Sequence, residues 1–395
     1  MRFSPMTAAM VALLAAAPAL AAPFTPKSDD EVVEKLPSTA SDPSIRRVDS
    51  LRKQLAARPD DSALRIEIGR RYFDLAMAQG DPRYVGYATA AIAPLEKAAP
   101  NDANYWLIKG LLQQYSHDFA SAMKSLQRAS ELDAKAPDPV AWRAAINMVQ
   151  AQYPQALGEC TRLVPLADPL QAQACTAYVQ AATGQLQPAY DALLKEFNAT
   201  QGLPPEFVVW IRTRLAEMAT RLQRTDEAQM HFTEALKLGV TDQFLLGAWA
   251  DFLLAQKRPA EVMTLLKDWE RSDILLLRLA YAGKAANDSR AAGWAAQLRD
   301  RFQAASLRGD RLHEQEAARF ELDIEGNAKK ALDLATRNYT SQKEPRDAEI
   351  LMRTALAAGD AKAAQPALDW LRTSRYEDPT LSALASQLAE KGATQ

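Results

Sequence analysis

What is scarce in this sequence narrows its chemistry first. Histidine occurs three times in 395 residues, at 117, 231 and 313, and cysteine twice, at 160 and 175. Metal centres and nucleophile–histidine sites need such residues clustered at fixed spacing, so few ligands are on offer for either. His313 opens the stretch "HEQEA", yet Ala317 stands where a zinc-protease motif needs its second histidine, and the segment reads as a solvated helix face. The G-x-S-x-G elbow, the glycine loop that cradles phosphates and the dinucleotide fingerprint are all missing. Acidic pairs such as Asp29 with Asp30, and Asp60 with Asp61, sit in linker-like sequence and read as caps and turns. No catalytic residue, cofactor or metal is therefore expected, and the chain is not read as an enzyme.

A dominant charge is also lacking: 47 Lys and Arg face 49 Asp and Glu, interspersed along the chain. Nucleic-acid binding and polybasic membrane association both need a concentrated positive field, so neither is expected. Alternating β-branched runs are nearly absent, which excludes an extensive sheet. After the first twenty or so residues no stretch approaches the roughly 20 apolar residues of a membrane span.

The amino terminus has a character of its own. "MRFSPMTAAMVALLAAAPALAAPF" has a basic start at Arg2, an apolar run from Met6 to Leu20, and Ala19 and Ala21 in an A-x-A arrangement. It reads as a secretory signal peptide, residues 1–21, cut after Ala21. No cysteine follows that would carry a lipid anchor, and the alanine-rich style resembles bacterial signals, so a periplasmic location is expected. Residues 22–42, rich in Pro, Ser and Asp, read as a flexible leader. From Pro43 the pattern changes: Asp42 can cap a helix, and Ile45, Val48, Leu51 and Leu55 recur at helical spacing. Nearly everything to residue 392 is helix of 10 to 20 residues between short breaks, so the fold class is all-α.

Similar segments recur along that length. With "HDFASAMKSLQ" as ruler, "YVGYATAAIAP", "YPQALGEC", "GQLQPAYDALLK", "RTDEAQMHFTEALKLG", "KRPAEVMTLLKDW", "DSRAAGWAAQL", "GNAKKALDLA" and "GDAKAAQPALDWL" align. The alignment brings Ala88, Ala122, Ala156, Ala189, Ala228, Val262, Ala292, Ala331 and Ala364 into one position. Twelve residues earlier another small residue recurs: Gly110, Ala177, Ala216, Ala250 and Ala280, with Gly69 in the same role. Small residues at both places let two antiparallel helices approach closely, while Trp106, Leu126, Phe232 and Leu266 fill the space beside them.

The period of about 34 residues, with "W-x-x-x-G" in the first helix and "Y/F-x-x-A" opening the second, resembles the tetratricopeptide repeat. Trp106, Gly110, Phe119, Ala122, Leu126 and Ala129 match it closely, whereas Ile146, Arg319 and Met352 stand where the small first-helix residue belongs. The resemblance implies a right-handed α-solenoid of about nine helix hairpins from Ser62 to Arg375, with a capping helix at each end. It also implies a concave groove, lined by the first helix of each hairpin, that takes a protein or peptide partner. The candidate groove residues are Arg143, Asn147, Tyr178, Trp210, Glu217, Asp251 and Tyr281. Arg143 and Asn147 occupy positions where some family members grip a peptide carboxylate, but Ala174 and Cys175 break the continuation of that device. A small-molecule, glycan or lipid ligand, or a role as helical partner of an envelope enzyme, is the alternative for the same concavity.

Cys160 and Cys175 lie at equal distances from the break at Ala167 and Asp168. In an antiparallel helix pair they come to one height, where an oxidising compartment permits a disulfide; equally, they suit an alanine-rich interface as two small buried residues.

Overall fold

The computed structural model describes residues 43–392; the expected signal peptide and leader lie outside the described residues. A single helix α1 (Pro43–Ala57) precedes nine helix hairpins, and a single helix α21 (Pro379–Gly392) follows them. The first three hairpins are α2 (Ser62–Gln79) with α3 (Arg83–Ile92) and a one-turn α4 (Leu95–Ala98), α5 (Ala103–Tyr115) with α6 (Phe119–Leu132), and α7 (Asp138–Val149) with α8 (Tyr153–Leu163). The next three are α9 (Pro169–Ala181) with α10 (Leu186–Ala199), α11 (Pro205–Arg221) with α12 (Thr225–Leu236), and α13 (Gln243–Ala255) with α14 (Pro259–Leu265). The last three are α15 (Asp273–Ala286) with α16 (Ala291–Leu307), α17 (Glu314–Asp323) with α18 (Ala328–Tyr339), and α19 (Pro345–Ala358) with α20 (Gln365–Ser374). Among the described residues there is no strand.

One local device makes every hairpin. Just beyond the first helix, a residue adopts the left-handed conformation: Gly80, His117, Ala151, Gly184, Gln223, Lys257, Asn287, Gly326 and Gly359 in order. In most hairpins the next residue then donates its N–H five residues back, as in Asp118 to Gln113 (2.9 Å), Gln152 to Asn147 (2.8 Å), Arg224 to Ala219 (2.9 Å) and Asp288 to Gly283 (2.9 Å). This closure satisfies carbonyls that the helix end leaves free and reverses the chain within two or three residues. Five of the nine turn residues carry a side chain, each at a cost of roughly 1 kcal/mol in this conformation, so the surrounding packing dictates the geometry. The second helix restarts on a cap such as Asp118, whose carboxylate accepts from the Ser121 N–H at 3.1 Å.

The small-residue positions are the hairpin contacts. Ala88, Ala122, Ala156, Ala189, Ala228, Val262, Ala331 and Ala364 are fully buried. A Cβ on Gly110 would stand 2.8 Å from Leu126, and one on Gly69 2.6 Å from Ile92, distances that real side chains do not tolerate. Ala292 corrects the alignment: it is exposed, and Ala291 and Trp294 face Gly283 instead, one residue out of the expected register.

From Arg47 onward the chain is one compact unit, in which hairpins four to six apart touch. The amide of Gln243 on α13 donates to the Met77 carbonyl at the end of α2, 3.2 Å away. The Lys343 N–H, before α19, donates to the Val149 carbonyl at 2.7 Å. Trp370 of α20 donates its indole N–H to the Tyr153 hydroxyl of α8 at 2.8 Å. The Glu377 carboxylate accepts from the first N–H of α10, at Leu186, at 2.6 Å, while its carbonyl accepts from Arg221 Nε at 2.9 Å. The Arg221 guanidinium lies 3.7 Å from the ring centre of Tyr376. Beneath these contacts one apolar cluster joins Ala144, Tyr153, Ala156, Cys160 and Val179 to Ala318, Ile350, Met352, Trp370 and Leu381. The array winds back on itself, and this seam closes its C-terminal hairpins against the third to fifth.

Candidate functional site

The first helices α9, α11, α13, α15, α17 and α19 lie each against the next, and charged and aromatic side chains meet between them. Arg214 of α11 anchors one centre: its Nη1 donates to Glu217 at 2.7 Å and to the Tyr178 hydroxyl at 3.3 Å. Its guanidinium lies 5.1 Å from the Tyr178 ring centre and 5.9 Å from that of Trp210, and Trp210 stacks on Phe207 with ring planes 7° apart. Asp251 of α13 anchors another, accepting from Arg278 Nη2 of α15 at 2.6 Å and from Arg319 Nη2 of α17 at 3.5 Å. Burial opposes ionisation of Asp251, but the two guanidiniums outweigh it and hold the carboxyl below its usual range. The Tyr281 hydroxyl donates to Asp323 at 3.0 Å, and Arg353 Nη2 donates to the other oxygen of that carboxylate at 2.6 Å. Glu349 is raised by desolvation, which the Arg319 and Arg353 charges only partly offset.

Tyr178, Trp210, Glu217, Asp251 and Tyr281 are each half-buried and each in contact with an arginine or with a carboxylate that an arginine holds. Arg143 and Asn147 are buried instead, which corrects the expected groove. Arg143 is 2 % exposed: its Nη2 donates to Glu159 of α8 at 2.6 Å and its Nη1 to Gln127 of α6, so the guanidinium is consumed between second helices. Asn147 is 3 % exposed in the same interior. Arg214 and Arg278, which hold Glu217 and Asp251, escaped the pattern. Arg319 gave a usable signal, since it stands where a small residue belongs, and its guanidinium runs to Asp251 instead.

Between the two sides of the seam lies a small cleft lined by Met148, Tyr153, Tyr178, Ala182, Arg221, Glu344, Pro345 and Tyr376, with about 30 Å³ of free space. Arg346, next to it, has Glu344 as its ion-pair partner, at 3.8 Å.

Cys160 and Cys175 are joined by a disulfide between α8 and α9, with Cα atoms 5.5 Å apart. Among the described residues no group of three or more His, Cys, Asp or Glu is arranged to hold a metal, and no helix is long and apolar enough to cross a membrane.

His231 of α12 titrates outside the inner face. The Tyr190 hydroxyl donates to Glu227 at 2.7 Å, so at 3.1 Å its oxygen accepts from His231 Nε2–H, which leaves Nδ1 unprotonated towards Arg212. Burial, reinforced by the Arg212 charge, lowers the imidazole to about 4. The unfolded chain therefore binds the proton more tightly in the interval up to about 6.5, and the stability this group contributes is complete above that value and lost as pH falls towards 4. Urea unfolding is expected to show a decline of about 2–3 kcal/mol across that interval that His231→Gln abolishes. An unchanged slope in the variant would refute the assignment.

The turn-and-contact unit that recurs nine times settles the architecture. This is a tetratricopeptide-like helical repeat. No family model matches the chain, and no curated protein matches it. Among solved structures it is similar to yeast Tom70, with 13 % identity over 90 % of this chain and 86 % of that one and a TM-score of 0.42. It is also similar to a human IFIT1 dimer with PPP-AAAA (13 % identity, 90 % and 88 % coverage, TM-score 0.45) and to a tetratricopeptide repeat protein of Parabacteroides merdae (14 %, 73 % and 98 %, TM-score 0.30).

Proposed function

We propose that this chain is a non-catalytic binding scaffold of the bacterial periplasm whose inner face holds an extended segment of a partner protein. What supports the reading is that Tyr178, Trp210, Glu217, Asp251 and Tyr281, from four successive first helices, are half-buried against arginines or arginine-held carboxylates, with the Trp370 to Tyr153 seam nearby in the same unit. Rings and fixed ion pairs on rigid helices suit recognition, because little side-chain freedom is left to lose on binding. Lateral closure favours a chain segment over a folded domain. Balanced charge speaks for a polypeptide rather than a nucleic acid. Export is supported by the signal-like amino terminus and by the disulfide, which an oxidising compartment maintains.

Trp210 supplies the test. It is half-buried, stacked on Phe207, so Trp210→Ala is expected to lower folding stability by no more than about 2 kcal/mol. Binding of the partner, captured from an envelope fraction and identified by cross-linking and mass spectrometry, is expected to weaken by at least about 2 kcal/mol, near thirtyfold. Full binding by a folded Trp210→Ala protein would remove the site from this face.

A further inference from the structure

The cleft at the seam has a hydrogen-bonding character that its own residues do not satisfy. Tyr153 is 8 % exposed, and its oxygen accepts the Trp370 indole N–H at 2.8 Å; its own proton has no acceptor among the described residues. The Tyr178 oxygen accepts from Arg214 Nη1 at 3.3 Å, which leaves its proton free in the same way. Tyr376 lines the cleft with its ring face covered by Arg221, and its hydroxyl likewise gives its proton to no described group. A phenol carries one proton to donate, so the three tyrosines that line this one small space each keep an unspent O–H. Glu344 lines the same cleft; its carboxylate accepts from the Asp347 N–H in the cap of α19 and pairs with Arg346 at 3.8 Å, which leaves acceptor sites on its two oxygens.

Charge decides what can sit there. Arg221 and Glu344, both lining the cleft, carry opposite charges, and Arg346 stands beside Glu344. A carboxylate or phosphate would meet Glu344, and an ammonium group would meet Arg221 and an excess of donors. A neutral dipole with a strong acceptor at one end and an N–H at the other meets neither objection. About 30 Å³ of free space accommodates two or so water centres, the places that the oxygen and nitrogen of one peptide group would take.

We propose that this cleft binds a peptide group of the extended segment, its carbonyl accepting from the tyrosine hydroxyls and its N–H donating to Glu344. The assignment rests on the reading of the inner face as a polypeptide site, and adds that the seam recognises main chain rather than a particular side chain. Such a contact holds a segment in register without restricting its sequence, and leaves selectivity to the Trp210 and Asp251 centres.

The test titrates the full chain, carrying ¹³C-labelled tyrosine, with a hexapeptide of alternating glycine and serine acetylated at one end and amidated at the other. Sodium acetate is titrated separately. Tyr178→Phe and Tyr376→Phe assign the resonances and remove two of the donors while keeping both rings. Saturable shifts of the Tyr153, Tyr178 and Tyr376 signals are expected with the peptide, with at least tenfold weaker response to acetate. The double variant is expected to lose about tenfold in peptide affinity while remaining folded, and Tyr376→Phe alone, whose oxygen accepts no hydrogen bond from a described group, is expected to weaken the peptide with thermal unfolding unchanged. No peptide-dependent shift means that the cleft holds water alone and overturns the proposal; an equal or stronger response to acetate overturns it in favour of an anion site. Peptide shifts without a captured protein partner would instead count against the scaffold reading alone, and a Trp210-dependent partner without peptide shifts against the cleft alone.

Discussion

Trp370→Ala is expected to unfold in urea with a loss of about 3–5 kcal/mol, far more than one residue of a terminal hairpin would cost in a simple linear stack. Trp370 is 8 % exposed, packs its ring 5.2 Å from Tyr376, and donates to Tyr153 in a hairpin six places earlier. Its removal opens a cavity in the apolar cluster shared by both sides of the seam and takes away the support beneath Tyr376 and Arg221. Trp370→Phe, which keeps most of the ring and loses the N–H, is expected to cost about 1 kcal/mol for the hydrogen bond plus a smaller packing term. A Trp370→Ala protein within about 1 kcal/mol of the parent would mean that the seam does not hold in solution.

Reduction of the Cys160 to Cys175 bond is expected to lower stability by about 3 kcal/mol in the chain-entropy model, given the separation of 15 residues. Cys160 is fully buried and the pair ties α8 to α9, the helices that carry Tyr153 and Tyr178 to the seam, so the loss should be felt there first. Denaturant curves with and without reductant, beside a Cys160→Ser, Cys175→Ser double variant, measure it. Free-thiol titration of protein purified without reductant, under denaturing conditions, is the direct check, and two reactive thiols would refute the bond.

The hairpins were legible because their determinants are local. Gly110 against Leu126 is a matter of sixteen residues and one turn, and its small-large pairing is written in the spacing. Where two alanines sit side by side, as at Ala291 and Ala292, composition does not choose the register; the neighbouring Trp294 does, by filling the space beside Gly283. Position within a repeat points Arg143 to the groove only if it alone fixes the direction of the side chain. A carboxylate at Glu159 and an amide at Gln127, both on second helices, were stronger attractors than solvent. The seam was not legible at all. Which hairpins meet depends on small rotations summed over five units, and no spacing in the sequence records that sum.

The seam also changes how this molecule should come apart. In an open row of repeats each unit answers only to its two neighbours, so the ends melt early and independently. Here the Lys343 N–H to Val149 carbonyl bond and the Trp370 to Tyr153 bond make a late hairpin the neighbour of an early one, and the row acquires the connectivity of a loop. A loop has no free end to fray on that side. Amide exchange in α19 and α20 is therefore expected to proceed through the same global opening as exchange in α8, while α1, a single helix ahead of the first hairpin, exchanges by local opening on its own.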